Sequence, residues 1–372
     1  MRISQVATFV LIISIISSCT VSSLFVSKTN VVYATTSSLD KSIQQTQDEL
    51  QSAINKEVQQ TITETINNIN NNNSNPDIIT DKTNDSKTQN NTSLSASSQV
   101  KDDTITDDNV SSQKIRVGDI DIAYKMFGTG DPILLIPGFS MTMEMWGEIL
   151  NDLSKNHTVI IFDNRGIGET TAGNRTFLMD QFVNDTVGLI DALKIEKPID
   201  VLGLSLGGMI AQELALSNPE KIKHLVLIAS SCGGEESLPP QLSPKDLQSM
   251  QTGTANESLF LHALFPDEWI RENSDVINRT FALPQVSQEN LLKYGEALSK
   301  WPGSCNSISN IDKPVLVMTG TEDITSPPVN SLKIAEKIPS SWLIQIKGGG
   351  HGVMQQYPET VYDIIETFLS IT

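Results

Sequence analysis

Gly203-Leu204-Ser205-Leu206-Gly207 is the stretch that decides how this chain folds. An apolar run, Pro198 to Leu202, leads into it, and a stretch with helical spacing, Met209 to Leu216, leads away. The reading is strand, sharp turn, helix, with a serine at the tip of the turn. Small residues two before and two after the serine let such a turn close without a Cβ clash. A serine hydroxyl is a weak nucleophile until a base and a set of oxyanion donors surround it. An elbow of this kind lifts the hydroxyl to where both can reach it.

Working outward, Pro314 to Met318 reads as a buried strand, and Gly320-Thr321-Glu322-Asp323 as the turn that follows. Trp342 to Ile346 reads as another strand, ending in Gly348-Gly349-Gly350-His351-Gly352. The chain has 4 histidines. His157 precedes a strand, His224 begins one and His262 sits in a helical stretch. Only His351 lies in a glycine-rich loop at a strand's C-terminal end, where an imidazole can meet a nucleophile. Further strands are read at Lys114–Val117, Ile120–Phe127, Pro132–Ile136, Thr158–Phe162, Ile199–Leu202 and His224–Ile228. Several are near-continuous β-branched runs, as expected of strands buried on both faces. Helical patterns alternate with them from the third strand onward, which points to right-handed βαβ crossovers.

Residues 114 to 372 resemble the α/β-hydrolase superfamily, in the group of small esterases and enol-lactone hydrolases that carry a helical cap. Five motifs in order carry the resemblance: Pro137-Gly138-Phe139, Asp163-Asn164-Arg165-Gly166-Ile167-Gly168, the Ser205 elbow, the Asp323 turn and the His351 loop. The resemblance implies an α/β fold: a mostly parallel eight-stranded sheet, helices on both faces, and a cap inserted between strands 6 and 7. Serine, then aspartate, then histidine is the family's triad order. It implies Ser205 as nucleophile, His351 as general base and acid, and Asp323 as the residue that orients the imidazole. Glu322, Glu235 and Glu236 compete for the acid's place. The oxyanion hole is expected from the backbone amides of Phe139 and Leu206, the latter at a helix N-terminus. Most relatives carry His-Gly where this chain has Pro137-Gly138, which leaves open what fixes the Phe139 loop; Ser140 is one candidate. Asp163 to Gly168 reads as structural, with Arg165 bonding local carbonyls or a carboxylate.

The cap is expected over residues 234 to 309, with many large apolar side chains. Most must pack it onto the body. Met141, Trp146, Phe265, Trp269 and Trp301 are candidates for an apolar pocket over Ser205. In the fold that the resemblance implies, both cap hinges rise from one face of the sheet. Cys232 and Cys305 lie at those hinges, so they are expected either as a disulfide stapling the cap's base or as two buried thiols.

The front of the chain is read separately. Val6 to Val26 is a run of 21 residues without a charge. Residues 1–34 are therefore expected to be a secretory signal, a lipoprotein signal ending at Cys19, or a membrane anchor. Each alternative places the hydrolase outside the cytoplasm, secreted or on the outer face of the membrane. Residues 35–112 carry 12 carboxylates against 5 lysines and almost no aromatic side chains. Such a segment is expected to be a disordered tether, with one possible helix near 40–70. The domain reading is then anchor or signal, tether, and a hydrolase domain over 113–372.

Formal net charge is −18, which disfavours nucleic acid and anionic lipid as partners. No Gly-rich phosphate loop, metal-ligand spacing or dinucleotide fingerprint is found, so no cofactor and no metal is implied. The partner expected is a small ester or lactone, with membrane contact only through the N-terminal segment. Acyl transfer, carbon–carbon bond hydrolysis and perhydrolysis use the same motifs and stay open, as does a binding or sensing role with little turnover. Sequence leaves the oligomeric state and the natural substrate undecided.

Overall fold

The fold, obtained as a computed structural model, is described for residues 110–274, 277, 286–339 and 341–371. The segments expected to be a signal or anchor and a tether lie outside the described residues, except for 110–112. Eight strands form one sheet: β1 (Gln113–Val117), β2 (Ile120–Phe127), β3 (Asp131–Ile136), β4 (His157–Phe162), β5 (Ile199–Leu204), β6 (Ile222–Ile228), β7 (Val315–Gly320) and β8 (Trp342–Ile346). Their order is β1-β2-β4-β3-β5-β6-β7-β8. β2 runs antiparallel to both β1 and β4, and every later pairing is parallel.

The apolar runs alternate between two layers. Leu134, Ile136 and Val201 face one apolar cluster, which holds α2 (Met179–Ala192) and α3 (Leu206–Ser217). Ile133, Leu135, Leu202 and Leu204 face the other, formed with α1 (Gly147–Leu153) and α10 (Pro358–Ile371). A strand covered on both faces gains from apolar residues at every position, which is why β3 reads Pro-Ile-Leu-Leu-Ile without polar alternation. The expected strands agree closely with those observed. β5 and β7 each run two residues further, to Leu204 and Gly320. Both extensions contain a glycine, a residue depleted in strands, so the pattern ended early.

The chain passes from β3 outward to β4, then crosses back to β5 on β3's other side. That reversal is a switch point, where loops beyond the strands' C-terminal ends diverge and open a crevice. Ile136 pairs with Gly203, so the loops after β3 and β5 leave side by side.

Between β6 and β7 the chain inserts the cap. Its described helices are α4 (Pro244–Gln251), α5 (Glu257–Leu264), α6 (Asp267–Glu272) and α7 (Gln288–Lys300). Side-chain caps start three of them: Ser243, Asn256 and Ser287 each accept a backbone N–H from the first turn. A disulfide joins Cys232 to Cys305, with Cα atoms 4.9 Å apart, at the base of this insertion. α8 (Pro328–Lys337) follows β7, and α9 (Val353–Gln356) follows the His351 loop. Asn330 on α8 grips the cap's entry, donating to Leu238 O and accepting from Leu238 N. Among the described residues no helix is long and apolar enough to cross a membrane.

Candidate active site

Ser205 sits between β5 and α3 with φ 53° and ψ −115°, a left-handed backbone for a residue with a Cβ. Such a conformation costs roughly 1–3 kcal/mol and persists only when the surroundings impose it. Here they do. Ser205 N donates to Ile228 O at 2.9 Å, and Ser205 O accepts from Ser230 Oγ at 2.9 Å and Gly208 N at 3.0 Å. A Cβ on Gly207 would run into the carbonyl oxygens of Ile136 and Pro137, so the helix start lies directly against the end of β3. A Cβ on Gly138 would lie 3.5 Å from the Cβ of Ser205. The Phe139 turn and the serine are therefore neighbours. Neither Phe139 N–H nor Leu206 N–H donates a hydrogen bond among the described residues.

The acid and base candidates meet at the ends of β7 and β8. His351 Nδ1 lies 2.9 Å from Asp323 Oδ2, and both residues are buried. Asp323 Oδ1 accepts Thr325 N at 2.9 Å and Ser326 N at 2.7 Å, which fixes the carboxylate's plane. The competing acids lie elsewhere: Glu322 is exposed, and Glu236 pairs with Lys337 at 2.8 Å. The other three histidines also have carboxylate partners, His157 with Glu366, His224 with Asp200 and His262 with Asp267. An Asp–His contact is thus not distinctive in this chain. Position is: His157 starts β4 and His224 lies near the start of β6, at the opposite end of the parallel strands from Ser205.

Cap and base loop are locked together. Gly352 N donates to Leu264 O at 2.8 Å, and Thr325 Oγ1 donates to Ala263 O at 2.6 Å. A Cβ on Gly352 would strike the Phe265 ring. Of the five expected pocket residues, Met141, Phe265 and Trp269 share one apolar cluster under the cap. Trp146 does not join them; it is completely buried among Met143, Ile149 and Leu150 in the body core, because it closes the 3-10 turn that leads into α1. Trp301 packs at the cap's base, where its Nε1 donates to Glu213 at 2.7 Å. A cleft of about 630 Å³ reaches Asp323 and His351 from the cap side, with Phe265 and Arg271 in its wall.

What fixes the Phe139 loop is the turn after β4, which the sequence reading took as structural only. Asn164 Nδ2 donates to Pro137 O at 3.3 Å, and Asp163 Oδ1 accepts Met143 N at 2.7 Å. Ser140 takes a different part from the one expected: it supplies the left-handed residue, φ 61°, of the turn that Met141 N closes onto Gly138 O. Burial pushes the Asp163 carboxyl up, even though it accepts N–H groups from Glu169 and Met143. Next to it Arg165 is bidentate to Asp185, at 2.7 Å for both bonds, and bidentate to Asp119 at 2.9 and 3.1 Å. Those bonds hold the Asp119 carboxyl well below the usual range. Asp119 and Asp185 carry no signal in the sequence, since each acts across a distance that no local motif spans; Asn164 lies inside the Asp163–Gly168 motif, but its bond to Pro137 O does not show there. Among the described residues no cluster of three or more His, Cys, Asp or Glu is arranged to hold a metal ion.

The profile of the alpha/beta hydrolase fold matches residues 131–355. This chain belongs to the α/β-hydrolase family. It is an enzyme of the α/β-hydrolase type with a small-molecule substrate. Its relatives are distant. RutD of Azorhizobium caulinodans, a provisionally named carbamate hydrolase, is 25% identical, the match covering 68% of this chain and 96% of RutD. A thermophilic esterase from Thermogutta terrifontis superposes with a TM-score of 0.62 at 24% identity, over 69% of this chain and 98% of the esterase. The enol-lactonase from Burkholderia xenovorans LB400 gives 0.63 at 20% identity, over 69% of this chain and all of its own. At these identities the structural likenesses speak for the fold.

Proposed function

We propose that this α/β hydrolase is a cofactor-free serine hydrolase that cleaves small carboxylic esters or lactones through an acyl-enzyme on Ser205. The observation that carries the reading is the buried Asp323–His351 pair at the C-terminal ends of β7 and β8, on the same end of the sheet as the strained Ser205 elbow. With the Nδ1 proton directed at Asp323, Nε2 is the free lone pair and accepts the serine proton as Oγ attacks the acyl carbon. Negative charge then develops on the former carbonyl oxygen, where the Phe139 and Leu206 amides have unspent N–H groups to offer. Collapse expels the alcohol, which takes its proton from His351. Water, deprotonated by the same imidazole, attacks the acyl-enzyme and releases the acid.

The carbamate hydrolase relative supports a carbonyl carbon of the acyl type as the target. The test is fluorophosphonate labelling of the full chain beside Ser205→Ala, with p-nitrophenyl esters of increasing chain length, a lactone and an aryl carbamate. Labelling and turnover lost together in the variant are expected. A folded wild type that takes no label would end the acyl-enzyme reading and leave a binding protein. The apolar N-terminal run and the Cys232–Cys305 disulfide together support a site of action outside the cytoplasm. Fractionation of the expressed full chain into cytoplasm, membrane and medium decides that; recovery in the cytoplasm with free thiols would overturn it.

A further inference from the structure

We propose that Tyr294 and Asn290, on cap helix α7, are positioning residues for the Phe139 amide, so that docking of the cap sets the oxyanion hole. This rests on the serine-hydrolase reading above. Among the described residues their side chains hydrogen-bond Arg165 O and Gly166 O rather than Ser205, Asp323 or His351. They act through the turn after β4 and through the Phe139 ring.

The contacts form an unbroken path. Tyr294 is buried, and its hydroxyl donates to Arg165 O at 2.8 Å. Asn290, one helical turn earlier and so on the same face, donates from Nδ2 to Gly166 O at 2.8 Å. Two successive carbonyls of the turn are thus satisfied by the cap. The residues just before them, Asp163 and Asn164, hold both ends of the Phe139 loop, at Met143 N and at Pro137 O. A second route is direct: the Phe139 and Tyr294 rings meet edge to face, with centroids 6.0 Å apart and planes at 87°. Tyr294 is itself stacked on Phe182, with centroids 4.7 Å apart, so its ring has little room to turn. The loop it supports contains Ser140 in a left-handed conformation that must be imposed from outside. An oxyanion donor is useful only when aimed where the charge develops, and small displacements weaken it steeply. A cap that lifts would release Tyr294 and Asn290, and with them the aim of the Phe139 N–H.

The experiment compares full-length wild type with Tyr294→Phe, Tyr294→Leu and Asn290→Ala. kcat and KM are measured for p-nitrophenyl butyrate. Ki is measured for a trifluoromethyl ketone of the same acyl chain, whose serine adduct carries an oxyanion. In Tyr294→Leu, kcat and ketone affinity are expected to fall together by about tenfold, with KM within about twofold. Tyr294→Phe and Asn290→Ala each remove one bond and keep the fold, and smaller parallel losses are expected. If all three variants melt earlier but keep wild-type kcat and Ki, the two residues only stabilise and the inference is wrong. A rise in KM alone would also overturn it, and would make Tyr294 part of the substrate's wall. Wild type that takes no fluorophosphonate label would remove the serine-hydrolase reading itself. A labelled wild type beside unaffected variants removes only the coupling.

Discussion

The two halves of the candidate site are held in different ways. Ser205 and the Phe139 loop are held by the body: by glycine contacts between β3 and β5, and by the β4 turn with its buried arginine. Asp323 and His351 stand on β7 and β8, but their loops are bonded to the cap, through Leu264 O and Ala263 O. Between the two strand pairs runs the 73-residue span that Cys232 and Cys305 close. The serine is therefore set by packing that forms with the sheet, whereas the Asp323–His351 loops directly, and the Phe139 loop through the β4 turn, also need an insertion to be docked. A nucleophile stored under strain belongs on the rigid half.

The largest test of this contrast removes chemistry from each half in turn. Ser205→Ala is expected to lower kcat by about 10⁶-fold, and Asp323→Asn by about 10⁴-fold, because the acid only orients and stabilises the imidazole. Equal losses would mean that Asp323 does more than orient. Single-turnover kinetics on an activated ester separate the two.

Next is stability. Arg165→Met leaves Asp119 and Asp185 facing each other in a buried site, a change expected to cost about 3–5 kcal/mol. Urea denaturation of the catalytic domain within the full chain measures it. A loss below about 1 kcal/mol would show that the β4 turn is not what fastens the body half. Opening the disulfide acts on the other half. Cys232→Ser with Cys305→Ser is expected to lower stability by about 2–4 kcal/mol, since the bridge closes a long loop. The loss should be local: limited proteolysis should cut within the cap before the sheet, and activity should fall with the cap. Cleavage first in β3 or β5 would show the sheet around Ser205 to be held less firmly than the cap.

The same contrast explains what the sequence made legible. The elbow, the acid turn and the base loop could be read because their constraints are local. Gly203 and Gly207 flank Ser205, and Gly350 and Gly352 flank His351, each where a Cβ would strike a neighbour. The buried strands could be read because both faces demand apolar residues. What stayed hidden acts across the chain. Tyr294 bonds a carbonyl 129 residues away and nothing in its own neighbourhood marks it; Asn164 lies in a marked turn, but its partner, a carbonyl 27 residues away, could not be read from that turn. Trp146 was misplaced for the reverse reason. It follows the oxyanion loop closely, but the turn into α1 rotates it into the body core. The Cys232–Cys305 bridge stood between two readings until the hinges were seen to meet.

The smallest expected effect is in the pH dependence of stability, where two aspartates around one turn have opposite signs. Hydrogen bonds from Arg165 hold Asp119 below its ordinary value. Its contribution is therefore complete above the unfolded carboxylate value, about 4, and is lost as pH falls through the depressed folded value. Asp163 is raised by burial, against the pull of two backbone N–H groups. Its contribution is complete below the unfolded value and is lost as pH rises through the folded one, so near neutrality its charge is a burden on the fold. Urea midpoints of wild type, Asp119→Asn and Asp163→Asn across the range from acid to neutral make the comparison. The advantage of wild type over Asp119→Asn should shrink as pH falls below about 4. Its standing against Asp163→Asn should improve over the descent toward that value. Differences that run parallel for both variants would mean that Asp163 carries no burial penalty, and the turn would then be fastened by its arginine alone.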